Sequence, residues 1–179
     1  MPCHAMAWHA MAWEELDFIY ESHFRSDLVT KLCEKLENNT LILVNHLKHG
    51  HYLTDFLCTI PNKRVYFIRG EVDVEERDEI KKIMENNTNV ICVAMSAIFS
   101  TGINIKNLHN IIFASGGKSF VRTVQSIGRG LRKHDLKSKL IIFDICDRLR
   151  YGIRHCEKRK AIYNIEKIKY SESNIVEKV

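Results

Sequence analysis

From Ser26 onward the chain alternates between two periods of apolar residues. Ser26 can cap a helix in which Leu28, Val29, Leu32, Cys33 and Leu36 recur at steps of three and four, the spacing of one helix face. Leu41 to Val44 is a short run without a polar position, and within 46–60 Leu47, Tyr52, Leu53, Phe56 and Leu57 return to helical spacing. The unit then recurs: Val65 to Ile68 has strand character, and Asp73 precedes a charged helix with Val74, Ile80, Ile83 and Met84 as its apolar stripe. Val90 to Ala94, Ile111 to Ala114 and Leu140 to Phe143 are three further strands, separated by a loop and helix from Ser96 and by a helix from Ser119 to Arg132.

Strands that are apolar throughout are covered on both faces, and connections of this length allow parallel pairing through right-handed crossovers. The pattern therefore predicts an open α/β fold, a mostly parallel sheet with helices on both faces, with functional residues on loops leaving the carboxyl ends of the strands. Beyond Asp147 the chain is basic and helical, with Leu149, Ile153, Ile162, Ile165 and Ile168 as packing positions that dock on the sheet or reach outward. The expected division is a leader over 1–13, the α/β domain over 14–147 and a helical extension over 148–179. The leader holds a tandem pentapeptide, His4 to Trp8 and His9 to Trp13, and is given no function.

Composition narrows the class. With 179 residues, 45% hydrophobic and 27% charged, and only 8 Gly and 2 Pro, the chain has the balance of one folded domain plus an appendage, which excludes disorder and collagen-like repeats. No apolar run approaches the roughly 20 residues of a bilayer span and no signal-peptide pattern occurs, so a cytoplasmic protein is expected. The six cysteines stand without a C-x-x-C pair, mostly in apolar segments, and are expected to be reduced core residues. Charge is uneven: residues 1–117 carry 11 Lys and Arg against 15 Asp and Glu, whereas 118–160 carry 13 against 4. That stretch suits a polyanion such as nucleic acid or nucleotide phosphate, although a basic stretch is also commonly a solvated helix face.

Two features resemble sites and fall short. Ser115-Gly116-Gly117-Lys118-Ser119 ends like a phosphate-cradling loop, but the glycine that G-x-x-x-x-G-K-[ST] needs five positions before Gly117 is Ile112, inside a strand. No strand ends in an adjacent acidic pair for magnesium either, since Asp78-Glu79 falls inside a helix. His46, His49 and His51 lie close together, but no nearby Cys or carboxylate completes a metal set, and no metal site is assigned.

The sharpest signal is Gln125-Ser126-Ile127-Gly128-Arg129-Gly130-Leu131-Arg132, where two arginines three apart share one helix face and can grip one phosphate. This stretch resembles motif VI of the superfamily 2 helicases, [QH]-x-x-G-R-x-x-R. Ser96 to Ile105 resembles motif V, with Asn104 where the family has aspartate, keeping a hydrogen-bonding side chain without its charge. Leu41 to His46 resembles motif IV, and Gly70 with Arg77 matches a further G-x-x-x-x-x-x-R element. The resemblance covers Phe18 to Asp147 in the order of the second RecA-like domain, and the phrasing is closest to phage recombination helicases.

The resemblance implies a RecA-like fold and an ATP-dependent motor that unwinds nucleic acid or migrates branches. ATP and Mg2+ would be held mainly by an N-terminal RecA-like domain, so this chain alone is expected to be inactive as an ATPase. Arg132 would be the arginine finger, Arg129 its neighbour on the γ-phosphate, and Gln125 a group positioning nucleotide or water, while Gly102, Asn104 and Gly128 would border ATP. Ser96, Thr101, Asn45, His46 and Lys48 would touch the phosphate backbone of DNA or RNA. The competing expectation is a non-catalytic nucleic-acid or partner-binding module using the basic stretch from Lys118 to Lys160.

Overall fold

The computed structural model describes residues 14–69, 74–96, 105, 107–116 and 140–176. Residues 14–21 form helix α1, followed by α2 (His23–Lys35), β1 (Thr40–Val44), α3 (Leu47–Leu57), β2 (Arg64–Ile68), α4 (Val74–Asn86), β3 (Val90–Met95), β4 (Asn110–Phe113), β5 (Ile141–Asp144) and α5 (Arg150–Ile165). The five strands pair in the order β2-β3-β1-β4-β5, and every pairing is parallel. The register opposes Ile42 to Val93 on one side and to Ile112 on the other, so β1 lies at the centre of the sheet.

Side-chain alternation along the strands sends successive residues to opposite faces. Leu41, Leu43, Val90, Cys92, Ile111 and Phe113 join one core with Met84 of α4 and Tyr163 of α5. Ile42, Val44, Ile91, Val93 and Ile112 join the other with Val29 and Cys33 of α2 and Leu53 and Leu57 of α3. This is why β1, β3 and β4 are apolar at nearly every position: each face meets a helix layer. Full burial of such a Leu or Ile contributes about 1.5–3 kcal/mol. β2 and β5 lie at the edges, and their burial is partial, with Ile141 42% exposed.

Three sequence expectations need correction. Helix α2 begins earlier than Ser26: Ser22 is its cap, accepting from the backbone N–H of Arg25 at 3.3 Å, and Ser26 lies one turn inside, buried. The cause is tertiary, because starting at His23 places Arg25 on the buried face, where it finds a partner in Asp147. Secondly, Cys146 and Cys156 are not reduced core residues but a disulfide, with Cα atoms 5.8 Å apart. They lie ten apart in sequence, on the loop after β5 and on α5, which brings them together only because α5 folds back. Thirdly, the full two-sided covering expected of all strands holds for the inner three only.

The basic extension docks instead of projecting. Arg159 of α5 is 1% exposed and donates through Nε to both carboxylate oxygens of Asp144, at 3.1 and 2.8 Å, and Tyr163 Oη donates to the same carboxylate at 2.7 Å. Gly152 permits the close approach: a Cβ there would meet the backbone oxygen of Asp147 at 2.7 Å.

Candidate functional site at the carboxyl edge of the sheet

In a parallel sheet all strands end on the same side, so the loops after β1, β3, β4 and β5 emerge together. Here they are tied by side chains. Asn45, directly after β1, donates from Nδ2 to the carbonyl of Gly116 at 3.0 Å and accepts at Oδ1 from Ser96 Oγ at 2.6 Å. Its backbone N–H donates to Ser115 Oγ at 3.1 Å. One residue thus links the loop after β4 to the end of β3.

His49, in the first turn of α3, completes the cluster with Nδ1 2.9 Å from Ser115 Oγ. It is 2% exposed, and burial, reinforced by the nearby Arg25 charge and His46, lowers its pKa to about 3. The ring is therefore neutral near pH 7. Below it Arg25 pairs with Asp147 and donates to the carbonyl of Ala114. Burial is the larger influence on both ions, lowering the pKa of Arg25 and raising that of Asp147 against their mutual attraction.

At the rim, His46 caps α3 by accepting from the Lys48 N–H at 3.3 Å, and its ring stacks on Tyr20 at a centroid distance of 5.1 Å. Lys48 pairs with Glu21 in solvent. Tyr20, Glu21, Lys48 and Tyr52 line an open hollow of about 400 Å³. Of the three histidines close together in sequence, His46 and His49 both stack on Tyr20, at 5.1 and 5.3 Å, with His49 also against Ser115, whereas His51 meets Phe67 edge-on.

The structure therefore brings together Asn45 and Ser96, and sets His46 and Lys48 on the adjoining rim. Thr101, Gly102, Asn104, Gln125, Gly128, Arg129 and Arg132 lie outside the described residues. Sequence reading missed Arg25, His49, Ser115 and Asp147 as members of the site. Ser115 and His49 were visible inside motifs set aside for other reasons. Arg25 and Asp147 carry no local pattern, since they stand 122 positions apart.

The donor set of this edge consists of hydroxyl, amide, imidazole and cationic groups, while its buried carboxylate, Asp147, is engaged by Arg25. Such groups fit phosphate oxygens better than a divalent cation, and among the described residues no three His, Cys, Asp or Glu side chains converge as a metal set.

The sheet is of the parallel kind found in helicase C-terminal domains, and residues 25–134 match the helicase conserved C-terminal domain family. The chain belongs to that family. It is similar to the ATP-dependent DNA helicase uvsW of Enterobacteria phage T4, 38% identical over 137 residues, covering 75% of this chain and 27% of that protein. The crystal structure of T4 UvsW superposes with a TM-score of 0.70 at 33% identity, over 86% of this chain and 35% of that one. UvrABC system protein B of Burkholderia mallei is 25% identical over 163 residues, 86% of this chain and 23% of that protein. The C-terminal domain of the DEAD-box protein Dbp5 shares the fold, with a TM-score of 0.58 at 14% identity over 79% of this chain and 77% of that one. The chain spans about a quarter of the length of the curated relatives it matches.

Proposed function

We propose that this chain is the second motor domain of an ATP-dependent helicase, which closes over nucleotide held by an N-terminal RecA-like domain and grips the nucleic-acid backbone along its carboxyl edge. The observation that carries this reading is the convergence of Asn45, Ser96 and the Ser115-Gly116 loop at that edge, immediately before the segment bearing Gln125, Arg129 and Arg132.

In this reading Arg132 and Arg129 offset the charge that spreads over the transferring phosphoryl oxygens, a task suited to the planar guanidinium, and Gln125 positions the nucleotide or water. Gly102, Asn104 and Gly128 border the nucleotide. Mg2+, held with the ATP phosphates mainly by the N-terminal domain, would supply neutralisation of phosphate charge. The nucleic acid, DNA in the first instance, meets Ser96, Thr101, Asn45, His46 and Lys48 through its phosphates. Contacts of that kind do not read bases, so movement along the strand is independent of sequence.

The test has two arms. Binding of a DNA oligonucleotide by the chain weakens steeply as salt is raised, because phosphate contacts release counterions; a flat response defeats the backbone contacts. Joining the chain to a domain that carries a G-K-[ST] loop and an acidic pair restores nucleic-acid-stimulated ATP hydrolysis. Salt-sensitive binding without restored hydrolysis would favour the non-catalytic binding module.

A further inference from the structure

We infer that the hollow between α1 and α3 takes an unpaired base of the bound nucleic-acid strand, stacked against Tyr52, with the phosphates of the strand left outside at Lys48. The inference rests on the function proposed above and adds a base contact to a surface read so far through phosphates.

The lining is aromatic and comes from two helices. Tyr20 and Glu21 end α1, while Lys48 and Tyr52 stand four apart on α3, which puts them on one face and about 6 Å apart along the axis. Tyr20 is 7% exposed, and its ring is fixed by stacking on His46 and His49. Tyr52 is half-buried and leans on Phe56, with ring centroids 5.1 Å apart. Rings already held by neighbours lose little further freedom when a flat ligand settles on them. Every nucleobase has such a face, so stacking of this kind tolerates any sequence.

Charge sets the orientation of the strand. Among the lining residues Lys48 carries the positive charge and Glu21 the negative, and they pair with side chains 67% and 60% exposed. An ion pair so open to solvent is weak and yields to a phosphate that approaches Lys48. Glu21 and Asp17, whose charge also acts on Tyr20 and Lys48, oppose entry of the phosphate itself. A neutral base meets no such repulsion. A strand crossing the rim therefore offers a phosphate to Lys48 and turns one base inward to the tyrosines. Bases inside a duplex are paired and stacked, and turning one out is costly, so the hollow favours single strands.

The test is fluorescence anisotropy with two labelled single strands of equal length, oligothymidylate and the same sugar-phosphate backbone with abasic sites. The proteins are the unsubstituted chain, Tyr52→Phe and Tyr52→Leu, the last keeping an apolar side chain against Phe56 without the ring. The unsubstituted chain should bind oligothymidylate about tenfold more tightly than the abasic strand. Tyr52→Phe should keep that ratio, and Tyr52→Leu should bring it close to one while its affinity for the abasic strand stays at the parent value. Equal affinity of the unsubstituted chain for the two strands, or a ratio in Tyr52→Leu equal to the parent's, overturns the base contact and leaves the phosphate reading standing. Absence of binding to either strand by the unsubstituted chain removes both.

Discussion

Arg25 of α2 and Asp147, just beyond β5, form an ion pair beneath the carboxyl edge, with side chains only 6% and 12% exposed. The carbonyl of Ala114 takes a second guanidinium donor, while Arg25 Nε and Asp147 Oδ2 have no hydrogen-bond partner among the described residues. The pair is therefore costly to assemble and more costly to break. Asp147→Ala, which strands the guanidinium, should lower stability by about 3–5 kcal/mol, whereas the double replacement Arg25→Met with Asp147→Leu should cost much less. Urea unfolding measures both, and a loss in Asp147→Ala no larger than in the double variant would contradict the pairing.

The buried His49 makes stability depend on pH. Its pKa is about 3 in the folded chain and near 6.5 when unfolded, so between those values the unfolded state binds the extra proton. The contribution of His49 is complete above pH 6.5 and is lost progressively as pH falls toward 3. The slope it adds approaches about 1.4 kcal/mol per pH unit within that window. Denaturation at pH 7 and pH 5 should show a smaller pH difference in His49→Gln than in the parent, and equal differences would mean that the ring protonates in place.

Thiol chemistry separates the cysteines. Exposed Cys58 should be alkylated quickly, whereas Cys33 and Cys92 should resist until unfolding, because burial pushes both thiols up to about 12. Cys146 and Cys156 should label only after reduction, which should also lower stability by about 2–3 kcal/mol. Differential alkylation read by mass spectrometry decides it, and prompt labelling of Cys146 without reductant would mean the pair is open.

For the nucleotide side, Arg132→Ala or Arg129→Ala in the motor joined to its N-terminal half should lower ATP turnover by about 10³ to 10⁵ while leaving nucleic-acid binding largely intact. Near-normal turnover in both variants would remove the arginines from the reaction.

Part of the polar cluster at the carboxyl edge was legible in the sequence. Asn45 and Ser96 were marked by their resemblance to motifs IV and V, and the two side chains meet at 2.6 Å. His46 and Lys48 were marked by the same resemblance, yet their described partners are Tyr20 and Glu21, which no spacing rule connects to them. Ser115 was noticed in a failed phosphate-loop pattern, and its role came from the Asn45 N–H and the His49 ring, both supplied by another part of the chain.

What the amino-acid order determined by itself was local: short apolar runs that mark strands, helical stripes between them, and hence a parallel α/β sheet with its loops on one edge. Periodicity carries that information because each residue's environment repeats along its own element. The tertiary structure alone decided which distant groups share that edge: Arg25 with Asp147, Asn45 with Gly116, and Cys146 with Cys156. Those pairings depend on strand order and on how α5 folds back, and a buried charge or amide selects its partner only after packing has brought the two within reach.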